Sequence, residues 1–285
     1  MLAVRRLGLC IGSTQDKIEM SLVASSWPTT LLNSVDETAR ILIDLKGKRW
    51  LSRGQSKRYG TLMPSIERGA LSDLPRSEKL RLERESIDIF RATVRNFAGP
   101  GEQAALVDDL VALMVLRHYG IPTRLLDWSL SPHVAAYFAA SSDDSDDGEI
   151  WAFDEPSYEI EGRKQWSLWP ETTTDGDPAN FRASLTAFWA KEPPDWFVAG
   201  FYPAGFPRQD AQYGAYTLTA RFARDHAEAI QTLLDDEGRY HLYVVPQALK
   251  PALREWLRTH HGFWRGSLFP DSAGAAQTAQ RIFNR

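Results

Sequence analysis

The chain predicts an α+β fold, a mixed or antiparallel sheet core with flanking helices. Three observations carry this expectation. Short segments with alternating faces, such as Glu149 to Asp154 and Tyr240 to Val245, mark strands. Longer segments with apolar residues at helical spacing mark helices. The two kinds do not alternate strictly along the chain, which disfavours a parallel doubly wound sheet.

Residues 1–28 read as an N-terminal segment, weakly ordered or an edge strand, and residues 29–285 as the main domain. Thr29 to Leu45 reads as a helix, with Leu31, Leu32, Val35, Ala39, Leu42 and Ile43 on one face and Gly47 as its stop. A short strand, Lys48 to Arg53, follows and breaks at Gly54. Residues 54–76 hold no steady period and read as a long ordered loop. Ser77 to Phe97 is the longest expected helix, closed by Gly99-Pro100-Gly101. A second helix from about Glu102 to His118 is apolar all round from Leu110 to Leu116 and is therefore buried. Gly120 sits where a glycine ends a helix.

Thr123 to Trp128 reads as a short buried strand, and Pro132 opens another helix at a position that tolerates proline. Residues 155–195 read as an irregular, Trp-rich insertion. Strands are expected at Trp196 to Tyr202, Ala215 to Arg221 and Tyr240 to Val245. A helix with an Asp225-x-x-Glu228 capping pattern lies between the last two. Two helices, about Gln247–Thr259 and Ser272–Phe283, end the chain.

Bulk composition narrows the function classes. A net charge of −4 argues against broad nucleic-acid or anionic-membrane binding, though it leaves room for a local basic cleft. The single cysteine, Cys10, forms no intrachain disulfide, which fits a reducing, cytoplasmic setting. No apolar segment approaches a membrane span, so no membrane partner is expected. The Asp143-Asp144-Ser145-Asp146-Asp147-Gly148 stretch mimics a calcium loop. A strand rather than a helix follows it, so a solvated turn is the better reading and no metal is expected.

Three segments carry chemistry. Ser52-Arg53-Gly54-Gln55 ends a strand. Arginine offers a planar fork of donors for phosphate or carboxylate, and a following glycine lets a ligand approach the backbone. The run from His118 to Trp128 packs a histidine, a helix stop, a proline turn and an acid–aromatic pair into one junction. There His118 can serve as acid, base or phosphate holder, or simply cap an element, as can Asp127. Ser129-Leu130-Ser131-Pro132 makes a strand-to-helix turn, where hydroxyls and free amides favour an anion or cap the helix through Ser131.

Together these segments resemble the FRG-domain family, named for an aromatic-Arg-Gly motif. Here the motif is Ser52-Arg53-Gly54, with Ser52 in place of the aromatic residue. The segment His118 through Trp128, with Ser131-Pro132 and Ala136-Tyr137-Phe138-Ala139, is the most specific part of the resemblance. Arg208, Gln212-x-Gly214-Ala215-Tyr216-Thr217 and Leu268-Phe269-Pro270-Asp271 extend it over about residues 30–285. A more distant likeness runs to ADP-ribosyltransferases. It implies a related fold and NAD as the cofactor, with Arg53 on the first element, Asp127 to Ser131 on the second and Gln212 on the third. Gln212 stands where those enzymes carry a glutamate.

This resemblance implies His118, Asp127 and Gln212 as the catalytic set. It assigns ligand contact to Arg53, Gly54, Gln55, Tyr119, Arg124, Trp128, Ser129, Ser131 and Arg208. The expected partner is a nucleotide-like small molecule, with a protein or nucleic-acid acceptor undefined. Three functions follow: an NAD-using transferase of toxin or defence type, a non-catalytic nucleotide- or partner-binding module, or a hydrolase using His118 and Asp127.

Overall fold

The computed structural model describes residues 27–96, 98–141, 145–165, 189, 197–200, 207–219 and 221–284. The expectations for the N-terminal segment up to residue 26, for Phe97, for Asp143 and Asp144, and for most of the Trp-rich insertion lie outside these residues. Among the described residues, no helix is long and apolar enough to cross a membrane.

Among the described residues, seven strands form one mixed sheet: β1 (Thr29–Leu31), β2 (Leu51–Gln55), β3 (Leu126–Ser129), β4 (Gly148–Phe153), β5 (Phe197–Gly200), β6 (Gly214–Thr219) and β7 (Tyr240–Val245). Their order is β1-β7-β4-β2-β3-β6-β5. The β1–β7 pair is parallel, and the other pairs are antiparallel. The α+β class expected from sequence is the one observed.

The principal helices are α1 (Val35–Gly47), α2 (Arg76–Val94), α3 (Asp109–His118), α4 (Pro132–Ala140), α5 (Glu155–Gln165), α6 (Pro207–Ala211), α7 (His226–Leu234), α8 (Lys250–His261), α9 (Arg265–Leu268) and α10 (Ser272–Gln280). Alternation along β4 shows how the layers are built. Trp151 and Phe153 enter a core with Leu51, Trp128 and residues of α7. Ile150 faces the other way, toward α4 and α8. A third cluster joins α2 and α3 to Leu125 and Leu218.

Three local expectations are corrected. The helix read over Thr29 to Leu45 begins later, because Thr29–Leu31 pairs with β7 and Ser34 caps α1 by accepting from the Glu37 amide. Apolar spacing alone does not reveal a three-residue strand before a cap. Likewise, residues 155–165 form a helix rather than irregular chain. The helix expected from Glu102 to His118 is divided. Asp108 takes an extended conformation and its carboxylate accepts from the Leu110 and Val111 amides, starting α3.

Two glycines seat α4 on the sheet. A Cβ at Gly54 would lie 1.9 Å from the Ala135 carbonyl oxygen, and one at Gly148 would lie 2.2 Å from that of Ala139. Gly54 thus serves close helix–sheet approach.

Candidate functional site

The sheet is nearly parted beside its centre. Strands β2 and β3 meet at one residue pair, Ser52 with Ser129, whereas β2 pairs with β4 over five. Where the strands separate, the Arg53 Nη1 donates to the Asp127 carbonyl oxygen at 2.6 Å, bridging the gap with a side chain. A cavity of about 330 Å³ occupies this opening. Arg53 shares the sheet face of Trp151, while Val134, Ala135 and Phe138 come from α4 on the other face. A parted sheet is what lets both faces reach one cavity.

Two charged groups furnish its lining. In the first, Arg117 at the end of α3 grips Asp127 Oδ2 through Nε at 2.8 Å and Nη2 at 2.7 Å, and its Nη1 donates to Ser65 Oγ at 3.2 Å. Arg53 Nη1 lies 3.7 Å from the same Asp127 oxygen. The Asp127 side chain is 43% exposed, against 11% for Arg53, so the carboxylate faces the cavity. Burial alone would raise the Asp127 carboxyl, but Arg117 and Arg53 together hold it below its ordinary value. Burial lowers the Arg53 guanidinium to about 9; Asp127 opposes the shift, and Arg117 and Arg68 reinforce it. Arg53 therefore keeps its charge at neutral pH.

The second group centres on Arg208 of α6. Its Nε and Nη2 meet Asp271 Oδ2 at 3.0 and 2.8 Å, and its Nη1 donates to the His118 carbonyl at 2.9 Å. His118 Nε2 lies 3.5 Å from Asp271 Oδ2. Burial, then the nearby Arg208, lowers the His118 imidazolium, and Asp271 offsets part of this.

Of the residues singled out from sequence, Arg53, Gly54, His118, Asp127, Trp128, Ser129, Arg208 and Gln212 line the cavity. Their packing fixes them. Trp128 Nε1 donates to Thr217 Oγ1 at 2.8 Å, Ser129 Oγ to the Gln212 carbonyl at 2.7 Å, and Gln212 Nε2 to the Leu268 carbonyl at 2.9 Å. The Gln212 amide is thus engaged with backbone.

Four expected ligand residues are not brought there. Gln55 is buried and donates to Glu149 Oε2 at 3.2 Å. Tyr119 is exposed and its hydroxyl donates to Glu102 at 3.1 Å. Arg124 is sealed in the core against Glu83, to which its backbone N–H also donates at 2.9 Å. Ser131 caps α4 through its backbone carbonyl without a side-chain bond, and its own amide donates to Ser129 Oγ at 3.0 Å. Glu149, the carboxylate that Gln55 contacts, is fully buried. It accepts from the Tyr59 and Gly60 amides and from Trp151 Nε1, and burial raises its carboxyl.

Sequence reasoning missed Arg117, Tyr216 and Phe269, all of which line the cavity. Arg117 carried a readable signal, since a lone arginine ends an otherwise apolar helix next to a histidine. Residues 48–148 match the family model of the FRG domain. The chain carries an FRG domain. The match is narrower than the span over which the resemblance was read, and it runs from the approach to β2 to the first residue of β4. The FRG domain thus supplies Arg53, Arg117, His118, Asp127 and the α4 wall, while Arg208, Gln212, Tyr216 and Phe269 come from beyond it. Comparisons with curated proteins and with solved structures returned no match.

Proposed function

We propose that the cavity binds an anionic, nucleotide-like ligand of the NAD or ADP-ribose class. One observation carries this reading. The lining holds Arg53, Arg117 and Arg208, of which Arg117 pairs with Asp127 and Arg208 with Asp271, so the cations exceed the carboxylates in a chain whose net charge is −4. Arginine forks suit phosphate oxygens, and Phe138, Tyr216 and Phe269 offer apolar surface for a ring. The Asp127 carboxylate, ionised and open to the cavity, can accept from ribose hydroxyls.

That exposed carboxylate also supports a transferase of ADP-ribosyltransferase type, with a toxin or defence role, as the catalytic form of the same reading. In it Asp127, rather than Gln212, polarises the ribose as positive charge develops at its anomeric carbon. Hydrolysis by a His118–Asp127 pair has less support, because Asp127 is gripped by Arg117 and Arg53 while His118 lies beside Asp271. Calorimetric titration with NAD and ADP-ribose tests the binding, and nicotinamide release from NAD tests the transfer. Absence of binding by both ligands at millimolar concentration overturns the reading.

A further inference from the structure

A second concave surface adjoins the cavity. Phe138 and Phe269, edge to face with ring centres 6.1 Å apart, line both, so this pair is the partition between them. The neighbouring cleft has a volume of about 500 Å³ and is lined by Arg254, Arg258, Arg265 and Glu255; Arg258 is paired with Glu255 on the same helix, Nη2 to Oε1 at 2.6 Å, which leaves Arg254 and Arg265 as the cations in excess. Tyr137, Phe263 and Trp264 line the same cleft, and of the three Trp264 is the exposed one.

Internal contacts hold these groups in place. Arg254 Nη1 donates to the Ala140 carbonyl at the end of α4 at 2.7 Å. The Arg265 guanidinium lies 5.1 Å from the centre of the Phe269 ring, and Arg208 of the cavity lies 4.8 Å from the same ring. The partition therefore carries an arginine from each compartment. Trp264 is 45% exposed, yet its ring is seated on Gly266, where a Cβ would come within 2.2 Å of it. A large aromatic side chain, exposed but fixed, is a stacking platform that has already lost its rotamer freedom.

We infer that this cleft binds single-stranded nucleic acid, one base stacking on Trp264 and the adjoining phosphates lying against Arg254 and Arg265. Arginines and an exposed aromatic lining one groove are the chemistry that strand binding uses. A carboxylate-bearing peptide would satisfy the arginines but not the indole face. A free mononucleotide would reach only part of a surface that continues past Trp264 and Phe269 toward Pro270 and Ala275. The inference goes beyond the cavity reading and stands on different residues.

Fluorescence anisotropy with a short labelled oligothymidylate tests it on the full chain. Binding should weaken as salt rises, and Arg265→Gln should flatten the log–log salt slope by about 0.7, the value of one phosphate contact in a single strand. Trp264→Leu should weaken binding roughly fivefold to a hundredfold and leave that slope unchanged. Thermal melting checks that both variants fold; both positions lie outside the core. The inference is overturned if no oligothymidylate binds at low salt, or if neither variant changes binding. Equal competition by polyglutamate would reduce the cleft to a basic patch. Thymidine monophosphate binding as tightly as the strand would make it a nucleotide site. Arg53→Lys, which tests the cavity, leaves these side chains untouched, so the two readings fail separately.

Discussion

Two arginine–carboxylate pairs, whose arginines lie close together in sequence, differ in their exposure to solvent. Arg117 and Asp127 meet at the cavity, with the carboxylate 43% exposed. Arg124 and Glu83 meet in the core, with side chains 2% and 0% exposed. Phe222 and Trp189 flank the Arg124 guanidinium, with ring centres 4.5 and 5.1 Å away. The chemistry of the two pairs is alike, and so is their signature in sequence. What separates a candidate ligand group from a structural one is whether the acid can still be reached. In the core pair both ions are desolvated and depend on each other. At the cavity the arginines are mostly covered while the aspartate remains open, so an incoming ligand can exchange contacts there.

The largest expected effect belongs to the core pair. Glu83→Ala leaves the Arg124 charge buried without its carboxylate and should cost roughly 3–5 kcal/mol of stability, read by urea unfolding. Ligand affinity in the fraction that remains folded should be unchanged. A loss under about 1 kcal/mol, typical of exposed pairs, would erase the contrast between the two sites.

Arg53→Lys comes next. Lysine keeps the charge but loses the fork that spans the Asp127 carbonyl and the cavity, so NAD-class affinity should fall on the order of tenfold to a hundredfold, about 1.5–3 kcal/mol. The melting temperature should hold, because β2 keeps its pairing with β4. Unchanged affinity with a lowered melting temperature would move Arg53 to the structural side of the comparison.

Asp127→Asn should cost about 1 kcal/mol of stability or less, since its carboxylate is partly solvated. Its folded-state pKa lies below the ordinary aspartate value, so its contribution is present above that ordinary value and is lost as pH falls through the folded one. Wild type and variant should therefore converge in acid on a plot of stability against pH. Binding of NAD should survive, while any nicotinamide release should be abolished. Equal release by both proteins would take Asp127 out of the chemistry. The smallest effect is expected from chelation: EDTA should leave ligand binding unaltered, and restoration of a lost activity by calcium would return attention to the acidic turn before β4.

The sequence made visible several features that depend on local rules. The β7 strand stands at Tyr240–Val245 as alternation places it, Asp225 caps α7 through its side chain, and Gly120 takes a φ of +84° just past α3. Arg53, His118, Asp127 and Gln212 were legible as chemistry, and they do line one cavity. What stayed hidden is pairing between distant segments. Nothing beside Arg124 in the chain announces that Glu83, forty-one residues earlier, will claim it. Nothing around Gln55 announces Glu149, or around Arg208 announces Asp271. A partner drawn from elsewhere in the chain decides whether a charged side chain is spoken for, and spacing carries no trace of it.

The order of strands sets a timetable for synthesis. On the ribosome β2 waits for β4, β3 waits for β6, and β4 and β1 both wait for β7. Closing such long loops is slow compared with forming the helices between them. A nascent chain that has emerged only as far as the end of the FRG domain holds the motif arginine but not Arg208, Gln212 or the ring of Phe269. Phe269 is thus the last of the cavity-lining residues to be synthesised, and a chain cut short before it lacks that ring of the wall.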